Sequence, residues 1–336
     1  MARTSARRLR TAVAAIATAS ALVLVSCSNG SDAEEQTNNS AAAAETITVS
    51  DNHGEQVIET PVEKVVVTDN RSFEILDNWG VKIAAAPKPL VPFTIPDYKD
   101  DESIKDLGTH REPKLEVLAA VEPDLVVNGQ RFRQHYDDIK ALVPDAAIVE
   151  FEPRDGEPLD EELRRHAKGL GEVFGKQAEA DALIADFDAA IERARKAYDP
   201  SKTVMALNSS GGTLGYIAPG KGRTFGPIFD LIGLKPALEV EGSSDDHEGD
   251  EVSVEAIAGS NPDFILVMDR DAGTNTRNTD EFRPAQSVVN DAAPLRNVTA
   301  VKEGHIYYAP EDTYTNESII TYTEILNQIA DLFENA

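Results

Sequence analysis

Five arginines stand just beyond the ends of short apolar runs, where an α/β protein keeps its ligand contacts. Arg131 and Arg133 follow the run 125–127 through Asn128-Gly129, and Arg270 comes shortly after 264–268. Arg223 lies in a glycine-rich loop ahead of a helical pattern that starts near Phe225, and Arg71 lies just past 65–68. A guanidinium offers planar, paired donors and keeps its charge when partly desolvated, so such a set suits the capture of oxyanions. Bond-breaking chemistry has weaker support. The chain has no Gly-x-Ser-x-Gly, no His-Glu-x-x-His and no phosphate loop ending in Gly-Lys-Ser/Thr. A hydrolase with Ser209 or Ser210 as nucleophile is a remote alternative, because no base is placed near either serine. The six histidines, at 53, 110, 135, 166, 247 and 305, are scattered and form no set with metal-ligand spacing. His166, at the edge of a helical stripe, reads as a packed or surface residue.

The elements that must position these arginines alternate. Strand-like runs at 65–68, 83–86, 125–127 and 148–151 form a first set. Those at 203–207, 238–240, 264–268 and 306–308 form a second, with helical patterns between them. That alternation predicts an α/β fold of two lobes with mainly parallel sheets. The halves share a plan. Leu115-Glu116-x-Leu118-Ala119-x-x-x-Pro123-Asp124-Leu125 returns as Val254-Glu255-x-Ile257-Ala258-x-x-x-Pro262-Asp263-Phe264. Between them, Leu183, Ile184, Phe187, Ile191 and Ala194 form a stripe at helical spacing, bounded by Gly175 and Asp199-Pro200. One long helix joining two lobes puts the ligand site in the cleft between them. The expected organisation is a lobe over 46–175, a connecting helix over 176–199 and a second lobe over 200–336.

Residues 1–26 read as a leader: Arg3, Arg7, Arg8 and Arg10 precede an uncharged apolar run too short to span a bilayer. The run ends in Leu24-Val25-Ser26-Cys27, which resembles the lipobox of bacterial lipoproteins, where the cysteine thiol takes the lipid. Cys27 is the only cysteine in the chain, so no intrachain disulfide is available. Residues 27–45 read as the lipidated cysteine and a polar, flexible tether. The whole chain carries 32 Lys+Arg against 59 Asp+Glu, a net charge of −27. Loss of the leader removes four arginines and brings the charge near −31. Such a surface repels nucleic acid and anionic headgroups, so any anionic ligand must be held by local positive charge.

Several segments resemble the substrate-binding proteins of iron–siderophore ABC importers, in particular their catecholate branch. They are Lys64-Val-Val-Val-Thr-Asp69, Pro123-Asp-Leu-Val-Val-Asn-Gly129, Arg223-Thr-Phe-Gly226, Asn261-Pro-Asp-Phe-Ile-Leu-Val-Met-Asp-Arg270 and His305-Ile-Tyr-Tyr-Ala-Pro310. The likeness implies two α/β lobes joined by a long helix and a lipid-anchored, monomeric, extracytoplasmic protein at the cell membrane. It implies that a ferric siderophore is delivered to an ABC permease and its ATPase, with iron as cargo and no intrinsic cofactor. It further implies that Arg131, Arg223 and Arg270, supported by Arg133 and Arg71, hold the ligand, and that His247 and Tyr314 ligate iron directly. The chain departs from the branch at three points. Gln130 is an extra residue before Arg131, Thr224 is inserted after Arg223, and Thr313 replaces the tryptophan that usually precedes the tyrosine. Haem, a hydroxamate siderophore or a corrinoid in the same fold stay open as alternatives. Three converging arginines favour a trianion, since one such contact at ~4 Å is of order 4 kcal/mol at an effective dielectric near 20, before desolvation.

Overall fold

A computed structural model describes residues 45–336; Cys27 and the leader lie outside the described residues. The described residues open with an antiparallel hairpin, β1 (Glu45–Asp51) and β2 (Gly54–Thr60). Five parallel strands follow: β3 (Val65–Val67), β4 (Ala85–Ala86), β5 (Lys105–Asp106), β6 (Leu125–Asn128) and β7 (Ala147–Glu150), in spatial order β5-β4-β3-β6-β7. The second sheet contains β8 (Val204–Ser210), β9 (Thr213–Tyr216), β10 (Phe264–Asp269) and β11 (Ile306–Tyr308), in order β11-β10-β8-β9. Its first three members are parallel and β9 is antiparallel to β8.

Both faces of each sheet are covered, which is why the strands are continuous apolar runs. Val65, Val67, Leu125 and Val127 point into one core while Val66 and Val126 point into another on the opposite face. In the second sheet Leu266 and Met268 turn inward, whereas Ile265 and Val267 fill the outer layer.

The repeated Pro-Asp motif has a structural purpose in each half. The helices Leu115–Val121 and Val254–Ser260 both end in a left-handed residue, Glu122 and Asn261, and the chain then turns into a central strand. The Asp124 carboxylate accepts from the Glu63 and Lys64 amides at 2.8 and 3.0 Å, and Asp263 accepts from the Thr203 amide at 2.8 Å. In both halves the carboxylate pins the start of the neighbouring strand.

The long helix runs Gln177–Ala197 between the two sheets, and the C-terminal helix Ile319–Glu334 packs along it. Phe187, Ala190, Ile191 and Ala194 of the first share a core with Ile325, Leu326 and Ile329 of the second. Arg193 ties their exposed flanks to Asp331 and Glu334. Ser318 caps the C-terminal helix by accepting from the Thr321 amide.

Two expectations need correction. Residues 238–240 form no strand; the second sheet is completed instead by β9, which turns back on β8 through Gly211-Gly212. Residues 238–240 are apolar enough to resemble a strand, but the chain makes a single parallel bridge to β8 just before them, Pro236 with Val204, and then packs Leu238 and Val240 against the outer core. The run 83–86 forms a strand only at Ala85–Ala86.

Phe187 has no exposed surface. Phe187→Ala should therefore lower stability by about 3–5 kcal/mol in urea titration. Val57→Ala, on the exposed hairpin, should change it by less than about 0.5 kcal/mol.

Candidate functional site

Each arginine of the cleft is aimed by a local backbone feature. β6 ends at Asn128, and Gly129 passes so close to Asp69 that a Cβ would lie 2.8 Å from its carboxyl carbon. Asp69 is itself buried and fixed by His166 (2.8 Å) and Ser72 (2.6 Å). Burial pushes the Asp69 carboxyl up, but its bond to His166 and the charge of that ring outweigh it and lower the pKa. His166 is thus a packed residue. The chain after Gly129 enters a short 3-10 helix, Gln130–His135, which carries Arg131 at the lobe junction. On the other lobe Arg223 leaves the loop after β9, just before the helix Gly226–Ile232. Arg270 directly follows β10.

The two residues that adjoin Arg131 and Arg223 adopt left-handed backbone: Gln130 at φ 45° and Thr224 at φ 63°. Such a conformation costs a non-glycine residue roughly 1–2 kcal/mol and persists where surrounding contacts impose it. These are the extra residues noted in the sequence.

The three arginines converge on one side chain. The guanidinium carbons of Arg131, Arg223 and Arg270 lie 5.2, 4.4 and 5.2 Å from the centre of the Tyr314 ring. The Tyr314 carbonyl accepts from Arg131 at 3.3 Å and from Arg223 at 3.2 Å, so one peptide oxygen joins an arginine from each lobe. Burial raises the Tyr314 phenol, but the charges of Arg223 and Arg131, with Arg270 beside them, overcome it and hold the pKa below its ordinary value. Burial and the facing Arg223 charge pull the pKa of Arg131 down.

Around this array lie two adjoining depressions of about 520 and 540 Å³, both lined by His110, Arg131, Arg223 and His247. His247 sits on an exposed acidic loop, 3.8 Å from both Asp246 and Glu248, and reaches the cavity edge. Arg133 is exposed at the mouth. Arg71 lines the larger depression too, with its side chain bound to Glu152 at 3.1 Å and 3.9 Å from Glu317. The described residues contain no cluster of three or more His, Cys, Asp or Glu able to hold a bare metal ion.

Glu317 escaped the sequence reading. Its carboxylate, 2% exposed, accepts from Arg223 at 2.5–3.1 Å and from the Thr224 hydroxyl at 2.6 Å. Gln130 donates to it from the other lobe at 3.4 Å. A single acid between a polar turn and a helix start carries no motif; only its place three residues after Tyr314 hints at the cleft. His110 and Arg111 also line the cavity and were not singled out.

Burial pushes the Glu317 carboxyl up, yet the Arg223 charge and hydrogen bonds, with Arg71, hold it at about 2 against an ordinary 4.5. A depressed pKa stabilises the fold above the unfolded value and is lost as pH falls through the folded one. Glu317→Gln should therefore cost about 3–5 kcal/mol near neutrality, the typical penalty for stranding a buried charge. The gap between wild type and variant in urea unfolding should close as pH falls from 4.5 toward 2.

Comparison with known proteins follows the same lines. Residues 65–313 match the periplasmic binding protein family. The petrobactin-binding protein YclQ of Bacillus subtilis is 30% identical over 333 residues, covering 95% of this chain and 97% of its own. Its crystal structure superposes with a TM-score of 0.72 at 25% identity, over 86% of this chain and 99% of that one. The ferric-anguibactin-binding protein FatB of Vibrio anguillarum is 29% identical over 84% of this chain and 86% of its own. The periplasmic catecholate-siderophore binding protein VctP of Vibrio cholerae superposes with a TM-score of 0.71 at 25% identity, covering 87% of this chain and 100% of that one. Two mainly parallel α/β lobes, a long connecting helix and a cleft between them are the architecture these structures share with it, and the chain belongs to the periplasmic binding protein family.

Proposed function

We infer that the protein is the extracytoplasmic binding component of an ABC importer, and that it captures a ferric siderophore of the catecholate type for a membrane permease. The observation that carries this reading is the convergence of Arg131, Arg223 and Arg270 on Tyr314, within 5.2 Å of one ring. Guanidinium donors pair with phenolate oxygens, and a partly buried cluster is little screened by the distant acidic surface. The phenol of Tyr314, held below its ordinary pKa, is suited to bind iron as phenolate where the siderophore leaves a position open. His247, on the opposite loop, offers an imidazole to the same iron. Iron enters as cargo, already wrapped by its carrier. Arg133 at the mouth guides the anion in, and Arg71, on the wall of the same depression, supports the array beside Glu317.

Relatives named for petrobactin, ferric anguibactin and catecholate siderophores support this ligand class. We assign residues 1–26 to a leader, Cys27 to lipid attachment, 28–45 to a tether and the rest to two lobes about the helix. No helix among the described residues is long and apolar enough to cross a membrane. The lipid on Cys27 then supplies the hold on the membrane, beside the permease and its ATPase.

Ligand choice is tested by quenching of intrinsic fluorescence with ferric catecholates, a ferric hydroxamate and haem. Catecholates should bind most tightly, and Arg223→Ala or Arg270→Ala should weaken them tenfold or more, about 1.4 kcal/mol. Tighter binding of hydroxamate or haem, or unchanged affinity in both variants, overturns the assignment. For the anchor, Cys27→Ser should move the protein from the membrane fraction to the soluble one.

A further inference from the structure

Glu317 draws together more of the cleft than any one ligand contact does. From the N-terminal lobe come Arg71, 3.9 Å away, and Gln130 at 3.4 Å. From the C-terminal lobe come Arg223 at 2.5 Å and Thr224 at 2.6 Å. Both left-handed residues of the cleft, Gln130 and Thr224, direct their side chains at this one carboxylate. It lines the floor of the larger depression and is only 2% exposed, held there by these four partners.

The pairing of the other arginines differs. Arg270 has Asp271 at 3.2 Å and the exposed Glu248 at 3.7 Å, a partner easily exchanged for a ligand oxygen. Arg131 has no carboxylate within salt-bridge distance among the described residues; its donors go to Gln130 and the Tyr314 carbonyl. Arg223 gives Nε and one terminal nitrogen to Glu317 and keeps only the other terminal nitrogen for the cavity. Glu317 therefore offsets part of the positive charge that lines the depression.

We propose that Glu317 is a built-in counter-anion that positions Arg223 and sets how much negative charge the cleft accepts in its ligand. The proposal rests on the siderophore reading and deepens it: Glu317 fixes selectivity among ferric complexes by charge, and the arginines fix it by direct contact. Removing the carboxylate charge leaves Arg71 and Arg223 undercompensated in the empty cleft, and a polyanion relieves that more than a monoanion does.

The test compares two ferric complexes, a tris-catecholate of charge −3 and a neutral-backbone bis-catecholate of charge −1, in wild type, Glu317→Gln and Glu317→Asp. Glu317→Gln should raise the affinity ratio of tris- to bis-catecholate about tenfold. Glu317→Asp keeps the charge while withdrawing the contacts, and should hold the ratio within about twofold. Equal effects of both variants on both ligands would mean a merely structural role and overturn the proposal. Should Glu317→Gln fail to fold, Arg71→Gln, which removes the cation behind Glu317, must lower the ratio; an unchanged ratio sinks the idea. If wild type takes up neither complex, the siderophore reading fails, and the counter-anion is judged separately by thermal protection with inorganic tripolyphosphate against acetate. Glu317→Gln must then gain tripolyphosphate protection that Glu317→Asp does not, and the absence of that gain overturns it.

Discussion

Guanidinium groups taken out of bulk water need oxyanions or carbonyls within reach, and the junction between the lobes is arranged around that need. Burying an unpaired charge costs several kcal/mol, so each cleft arginine is placed where the backbone or a carboxylate meets it. Arg71 and Arg223 share Glu317, and Arg131 and Arg223 share the carbonyl of Tyr314. These shared acceptors belong to one short segment between β11 and the C-terminal helix. The site is therefore organised from its floor: both lobes supply cations, and the floor supplies what they bind in the absence of a ligand.

The same segment is a second seam between the lobes, beside the long helix. Asn70 donates to the Thr315 carbonyl, Thr94 to the Asp312 carboxylate, and Asn316 and Ser318 to Glu74. Above the seam, Arg277 stacks over Phe93 at 3.5 Å. The lobes are thus joined by a helix on one side and by a polar seam on the other. The exposed 245–248 loop, by contrast, meets the cavity only at its edge, through Asp245 and His247.

What was legible in the sequence followed from periodicity and position. Apolar runs of three to six residues marked β3, β6, β10 and β11, and the repeated Pro-Asp step marked where two of them begin. The arginines could be picked out because strand ends are where parallel sheets keep their ligands. Their convergence on Tyr314 could not be read from spacing, since the residues come from 131 to 314 and meet only when both lobes fold. Glu317 was hidden for a different reason. Its meaning lies in partners on two lobes, and an isolated acid among 59 Asp and Glu residues gives no local pattern. The strand expected at 238–240 failed because apolar content alone does not separate a strand from a packed loop.

Gln130 and Thr224 carry a consequence for how such a cleft can diverge. Each stands beside an arginine in left-handed backbone and turns its side chain to the Glu317 carboxylate. A duplication or loss of one codon at either place re-aims a guanidinium and rewires its neighbour in the same event. Backbone length at these two places is thus as much a part of the pocket as the identity of its side chains.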